Sequence, residues 1–253
     1  VNQAPLHADS IWLELTGENA VLECLEIFDT LDSTNAYLLR QPIPPRRAAC
    51  LAEFQTEGRG RRGRDWLSPH GAGLCLSVKY CAGNANPHGL SLALGVATAD
   101  VLRALGVDGL ALKWPNDVWR HGKKLGGILV ETRVAPDETL WVAGLGLNLA
   151  AAPADMDGAT DLRDVAVSRN RLAGRMIAAW LAALDQFTRT GWTPWQHAWA
   201  SYDALAGQAV VVHEAHSAVS GVACGLAADG ALRVRTAAGE RCFYSGDVTV
   251  RRA

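Results

Sequence analysis

The chain has 253 residues, with 24 lysines and arginines against 26 aspartates and glutamates and 49% hydrophobic residues. That composition suffices for an ordinary buried core, and the balance of charge excludes the broad positive field of a non-specific nucleic-acid binder, leaving only local basic patches. No apolar run reaches the ~18 residues of a membrane span and the start does not read as a signal peptide, so the expectation is a cytoplasmic protein with no membrane partner. The cysteines at 24, 50, 75, 81, 224 and 242 show neither CxxC nor ligand spacing. Runs such as Leu74-Cys75-Leu76 read as buried free thiols, against a metal site or disulfide framework.

In chain order, residues 21–28 read as a strand that leads through Asp29-Thr30-Leu31-Asp32 to a helix. Ser33 or Thr34 caps that helix, because a hydroxyl accepts from a free amide of the first turn. Pro42, Pro44 and Pro45 end it. A strand over 48–54 precedes a glycine- and arginine-rich loop, and a strand over 73–80 follows, with Leu74, Leu76 and Val78 in alternation. Leucines at 90, 94, 102 and 105 with Val101 make one apolar helical face over 90–105. Residues 109–114 read as a strand broken by Pro115. Strands over 125–133 and 139–149 are joined by a turn at Pro136-Asp137, and their Gly126, Gly127, Gly144 and Gly146 weaken them unless something must approach the backbone. A surface loop from Ala150 to about Leu162 gives way to helices over 170–189 and 193–205. The remaining tryptophans (12, 119, 141, 180, 192, 195 and 199) read as packing residues. Beyond Gly207, short strands over 209–213, 218–227, 230–236, 240–245 and 247–252 alternate with glycine turns. They predict a small all-β unit of about 45 residues, too small for a large core of its own.

Three segments can carry chemistry. Asp32-Ser33-Thr34-Asn35 lies at a strand-to-helix junction and serves at least as a cap. Residues 58–64 hold three glycines and four arginines. Such glycines permit turns and close approach to a ligand, and the guanidinium forks suit phosphate or carboxylate. The same loop could equally be solvated or touch nucleic acid. Lys113-Trp114-Pro115-Asn116-Asp117 contains a common turn, and Lys124 stands at the mouth of an apolar, glycine-bearing strand, where it can act as a point charge.

Taken together, the DSTN run at 32–35, the Gln55-to-Trp66 loop with its GRGRRGR core, KWPND at 113–117, KKLGGILVE at 123–131 and GLGLNL at 144–149 resemble the biotin protein ligases in order and approximate spacing. The resemblance covers about residues 22–252 and implies an α+β fold of the class II aminoacyl-tRNA-synthetase-like, biotin–lipoate ligase type. It also implies a mixed sheet with helices over 1–205 and an SH3-like barrel over 206–253. The winged helix that often precedes this unit in the family is absent from the sequence, so sequence-specific DNA binding is not expected.

The resemblance implies ATP-dependent activation of biotin as biotinyl-5′-AMP and transfer to one lysine of a biotin carboxyl carrier protein, by a monomer or weak homodimer. Arg59, Arg61 and Arg64 would neutralise the triphosphate. Lys124 would contact carboxylate and α-phosphate as the mixed anhydride forms. Ser33, Thr34, Asn35 and Gln55, with backbone groups from Gly58 to Arg61, would read the ureido ring, since hydroxyls and an amide supply donors and acceptors without burying charge. Trp66 and the glycine-bearing strands, Gly126 included, would line the apolar part of biotin. Asn116 and Asn148, together with Arg61, Arg64, Trp66 and Lys124, would hold the nucleotide. Asp117 is the candidate Mg²⁺ ligand. Where some relatives close a tryptophan over the adenine, this chain has Ala159. Within the fold the rival is a lipoate or octanoate acyltransferase, and from another class a nucleic-acid-binding protein using the Arg/Gly loop.

Overall fold

The computed structural model describes residues 4–15, 21–135, 138–152, 158–213, 218–244 and 249–252. The turn expected at Pro136-Asp137 lies outside the described residues. A short helix α1 (Ala8–Trp12), not anticipated from sequence, precedes β1 (Cys24–Leu31), α2 (Thr34–Arg40), β2 (Arg47–Gln55), β3 (Gly73–Cys81) and α3 (Leu90–Ala104). Then come β4 (Leu110–Lys113), β5 (Asp117–Arg120), β6 (Lys123–Val134), β7 (Thr139–Asn148), α4 (Arg169–Thr190) and α5 (Gln196–Tyr202). The helix expected over 193–205 is shorter, because residues 193–195 form a 3₁₀ turn. Strands β8 (Ala209–His213), β9 (Ala218–Leu226), β10 (Leu232–Thr236), β11 (Gly239–Phe243) and β12 (Thr249–Arg252) complete the described chain. Of the strand expected over 247–252, residues 247 and 248 lie outside the described residues.

The first seven strands form one sheet in the order β1-β2-β3-β7-β6-β5-β4. Only β1 and β2 are parallel; the other neighbours run antiparallel. The last five form a second, antiparallel sheet in the order β11-β10-β9-β8-β12, in keeping with the expected small β unit. Strand β1 runs three residues further than its apolar pattern suggests. Parallel pairing of Leu31 with Gln55 carries it through the polar Asp29-Thr30 pair, and Thr56 and Glu57 then donate to the carbonyls of Leu31 and Asp32. That extension sets the DSTN run beside the start of the Arg/Gly loop. Strand β5 was not legible either, because four residues containing Asp117 and Arg120 carry no clean alternation.

Side chains alternate across a strand, so the large sheet has two faces. Leu74, Leu76 and Val78 of β3 point to the main core, where α4 presents Leu172, Met176, Ile177, Trp180, Leu184 and Phe187 at helical spacing. Trp180 Nε1 of α4 donates to Thr98 Oγ1 of α3 at 3.0 Å, and Asp185 of α4 accepts from Tyr80 and Arg47 of the sheet. The opposite face carries α2 over a smaller apolar cluster of Leu38, Ala48, Cys50, Leu140 and Val142. Beyond that cluster the second face changes character. Ser77 pairs with Gly144 and Gly144 with Leu129, while Cys75 pairs with Gly146 and Gly146 with Gly127. Small residues therefore clear one patch of the sheet next to α2. All six cysteines are free. Trp12, expected to pack, is instead exposed, because α1 directs Ile11 rather than its last residue into the core.

The small sheet shares the apolar core of the large one through Val210, Val212, Leu232, Val234 and Phe243, and one turn adds a hydrogen bond between them. Trp114, buried in the KWPND segment, donates its indole N–H to the Gly230 carbonyl at 3.0 Å. Gly230 is left-handed (φ 85°), and a Cβ there would stand 2.9 Å from Leu92, so the turn fits against α3 only as glycine.

Candidate active site

The cleared patch opens into a cavity of about 220 Å³ whose wall includes Ser33, Thr34, Asn35, Gln55, Arg59, Gly60, Arg61, Arg64, Trp66, Asn116, Asp117, Lys124 and Asn148. Segments up to 126 residues apart in sequence thus converge, by the difference between Ala159, also on the wall, and Ser33. Gly58 and Gly126 do not reach the wall. A Cβ on Gly58 would meet the Trp66 carbonyl at 2.4 Å, and one on Gly126 the Gly146 carbonyl at 2.3 Å. Their role is close backbone packing behind the cavity.

One end is a neutral polar network. Ser33 caps α2 by accepting from the Ala36 amide. Thr34 donates to Gln55 Oε1 twice, from its amide at 2.8 Å and its hydroxyl at 3.1 Å. Ser77, absent from the sequence reading, lies 2.7 Å from Thr34 Oγ1 and 2.6 Å from Asn35 Oδ1. Asn35 Nδ2 donates to Glu131 Oε2 at 2.8 Å and to the Leu129 carbonyl at 3.2 Å. Gly144 makes room for this arrangement, since a Cβ there would fall 2.3 Å from Asn35 Oδ1. Gly146 does the same for the Trp66 ring, at 2.3 Å. Cys75, the cross-strand partner of Gly146, is buried, and burial pushes its thiol up to about 11 against a lowering contact with Trp66.

The other end is cationic. Residues 58–66 close on themselves, with the Gly60 amide donating to the Arg64 carbonyl at 2.7 Å and the Trp66 amide to the Gly58 carbonyl at 2.8 Å. Arg62, at the tip, adopts φ 61°. Arg59 is paired with Glu131 at 2.9 Å, which turns it toward the polar end. Arg61 is half-buried and donates to Asn116 Oδ1 at 3.4 Å. Burial draws its pKa down, as do Arg64 and Arg62, while Asp117 opposes them. Lys124 Nζ lies 2.8 Å from Asp117 Oδ1 across the β5–β6 pair.

The segment after β7 forms the wall beside Lys124. The Lys124 amide donates to the Gly158 carbonyl at 2.7 Å, and the Thr160 amide donates to the Lys124 carbonyl at 2.8 Å. Ala159 sits between them on the cavity. Asn148 Nδ2 donates to the Thr160 carbonyl at 3.1 Å, while its buried Oδ1 has no partner. A buried acceptor left open toward a cavity awaits a donor. Among the described residues no group of three or more His, Cys, Asp or Glu could hold a metal ion. No helix among them is long and apolar enough to cross a membrane.

Comparison with known proteins identifies the family. Residues 27–148 match the biotin/lipoate A/B protein ligase family and residues 206–251 the biotin protein ligase C-terminal domain. The chain is 36% identical to the bifunctional ligase/repressor BirA of Salmonella typhimurium, over 98% of this chain and 79% of that protein. It is 35% identical to the biotin–[acetyl-CoA-carboxylase] ligase of Paracoccus denitrificans, over 86% and 96% respectively. Among solved structures, the biotin protein ligase of Aquifex aeolicus in complex with biotin and ATP superposes with a TM-score of 0.80 at 26% identity, over 92% of this chain and all of that one. By sequence and by fold, the chain belongs to the biotin protein ligases.

Proposed function

We propose that this chain activates biotin with ATP and transfers the biotinyl group to one lysine of a biotin carboxyl carrier protein. In the first step a biotin carboxylate oxygen attacks the α-phosphorus of ATP, the α–β anhydride bond breaks, and pyrophosphate leaves. In the second the carrier lysine amine attacks the acyl carbon and AMP leaves. The observation that carries this reading is one cavity with a neutral hydrogen-bonding end at Thr34 and Gln55 and a cationic end at Arg61 and Lys124. A molecule with a polar uncharged ring and a carboxylate at the far end of an apolar chain matches that polarity.

The first step presses two anions together, so preorganised cations account for much of its acceleration. On this reading Lys124 holds the carboxylate and α-phosphate, and Arg61 and Arg64 take the outer phosphates, with Arg59 reaching them once Glu131 releases it. Ser33, Thr34, Asn35 and Gln55 read the ureido ring. Trp66 covers the apolar chain. Asn116 and Asn148 address the nucleotide, the latter through its open Oδ1. Asp117 has one oxygen engaged by Lys124. The remaining oxygen suits a magnesium that keeps waters and binds mainly to phosphates, but not a metal site built of protein ligands alone. Mg²⁺ would therefore arrive as part of the ATP substrate, with Asp117 as its one protein contact.

Residues 1–205 would carry the chemistry and 206–253 the small β unit that supports it. The use of ATP favours a cytoplasmic setting. A dithiolane ring offers no group that the hydroxyls and amides of the polar end can hydrogen-bond, which favours biotin over lipoate. The test is biotin-dependent exchange of labelled pyrophosphate into ATP, which isolates the first step. Exchange is expected with biotin and not with lipoate; equal exchange with both would refute the reading.

A further inference from the structure

Arg120, at the end of β5, is outside the cavity and plays no part in the chemistry above. Its side chain is only 6% exposed, yet it meets four oxygens from two directions. Nη1 donates to Asp164 Oδ1 at 2.6 Å and to the Asp161 carbonyl at 3.2 Å. Nη2 donates to Asp164 Oδ2 at 2.8 Å and to Asp108 Oδ1 at 3.0 Å. The two carboxylates are largely in water, 61% and 76% exposed. Burying a guanidinium against solvated partners is a poor source of stability, because the cation is desolvated and its partners are not. Here the buried Nε even lacks a partner. Such an arrangement calls for a reason other than holding the fold together.

The reason lies one residue further along each strand of contacts. Asp161 and Asp164 belong to the segment that supplies Gly158, Ala159 and Thr160 to the wall beside Lys124. Its described residues 158–164 have no regular structure beyond one parallel bridge between Lys124 and Ala159. It is closed at its start by the Asp161 carboxylate, which accepts from the Ala152 amide at 3.1 Å, and held at its end by Arg120. Between these two ties the Thr160 carbonyl orients Asn148, and the backbone of 158–160 brackets Lys124. Because Ala159 offers only a methyl group, the shape of this wall depends on where its backbone is held.

We propose that Arg120 is a positioning residue for the nucleotide: it holds the 158–164 segment in register with Lys124 and Asn148, so that the wall is in place before ATP arrives. The inference rests on the proposed function for the identity of the nucleotide, but the tether itself is a property of the chain. Preorganisation of this kind raises affinity by removing the ordering that binding would otherwise require.

Arg120→Met and Asp164→Asn separate the two levels. The first keeps most of the buried volume and leaves both carboxylates solvated; the second removes a charge from an exposed side chain. Each should fold. In the ligand-free protein, amide exchange should speed up at Lys124 and Thr160 in both variants and remain as in wild type in the amides of α2 and β3. Titration calorimetry should show ATP binding weakened about tenfold in Arg120→Met, the size of one lost charge-assisted hydrogen bond, with biotin affinity unchanged. A general loss of stability would instead lower both affinities together. Unchanged exchange at Lys124 and Thr160 overturns the tether, and faster exchange with unchanged ATP affinity overturns its role toward the nucleotide. A wild-type protein that binds ATP but not biotin would refute the proposed function while leaving this test intact.

Discussion

Lys124 and Asp117 face each other across neighbouring strands with Nζ and Oδ1 2.8 Å apart, both on the cavity wall. The carboxylate holds the ammonium at the boundary between the polar and cationic ends. Lys124→Ala should therefore slow pyrophosphate exchange by about 2–4 kcal/mol of barrier, the range for losing one preorganised donor. A folded variant with a near-normal rate would show Lys124 to be an ordinary surface charge.

Gly144→Ala tests the polar end without removing any polar atom. The added Cβ would stand 2.3 Å from Asn35 Oδ1, and Asn35 is held by Ser77, Glu131 and the Leu129 carbonyl. The ring reader, not the backbone, has to move. The KM for biotin should rise about tenfold or more, each factor of ten being about 1.4 kcal/mol, with a smaller change in the KM for ATP. A steady-state analysis showing both constants unchanged would rule out Asn35 as part of the biotin site.

Arg61 lies toward Asn116 at the cationic end. Arg61→Ala should weaken ATP binding by about 1.5–3 kcal/mol, the value of a hydrogen bond to a charged group, and leave biotin affinity little changed. Calorimetry with each substrate separately reads the two effects. Unchanged ATP affinity would reassign Arg61 to the loop's own structure.

Stability should decline at high pH for a reason visible in two tyrosines. Burial first, then the Glu26 carboxylate that accepts its hydroxyl proton, pushes Tyr37 up to about 12 from an ordinary 10.0. Burial and Asp100 do the same to Tyr202, also to about 12. Between pH 10 and 12 the unfolded chain loses these protons and the folded one keeps them, so stability falls as pH rises through that window. Denaturant melts across it should be steeper in the wild type than in Tyr37→Phe or Tyr202→Phe. Equal slopes would mean that the two hydroxyls titrate freely.

Much of the site was legible because its residues announce themselves in one dimension. Ser33 is a capping residue at a strand-to-helix junction, and the density of glycine and arginine in 58–64 has few structural uses. The residues that join these pieces carry no such mark. Ser77 is one small residue in an apolar strand, and only the register of β3 against β7 brings it opposite Gly144 and within reach of Asn35. Glu131 closes an apolar run like any strand end, yet it ties Arg59 to Asn35. Arg120 depends on a loop forty-odd residues downstream, by its spacing of 44 from Asp164. Likewise the apolar pattern of β1 stops three residues short of its end, because Asp29 and Thr30 look like a turn until a parallel neighbour supplies their hydrogen bonds.

The hydrogen bond from Trp114 to Gly230 has a consequence for how the molecule comes apart. Trp114 belongs to the cavity wall and Gly230 to a turn of the small sheet, with Leu92 of α3 against the same glycine. Separating the two sheets would exchange that hydrogen bond for water, a net loss of about 0.5–1.5 kcal/mol, and would expose the apolar core that both sheets share with α3. Neither part has a low-energy way to melt first. Calorimetry should accordingly record one endotherm in which the calorimetric and van't Hoff enthalpies agree, and Trp114→Phe, which leaves the buried Gly230 carbonyl without its donor, should move that endotherm to lower temperature.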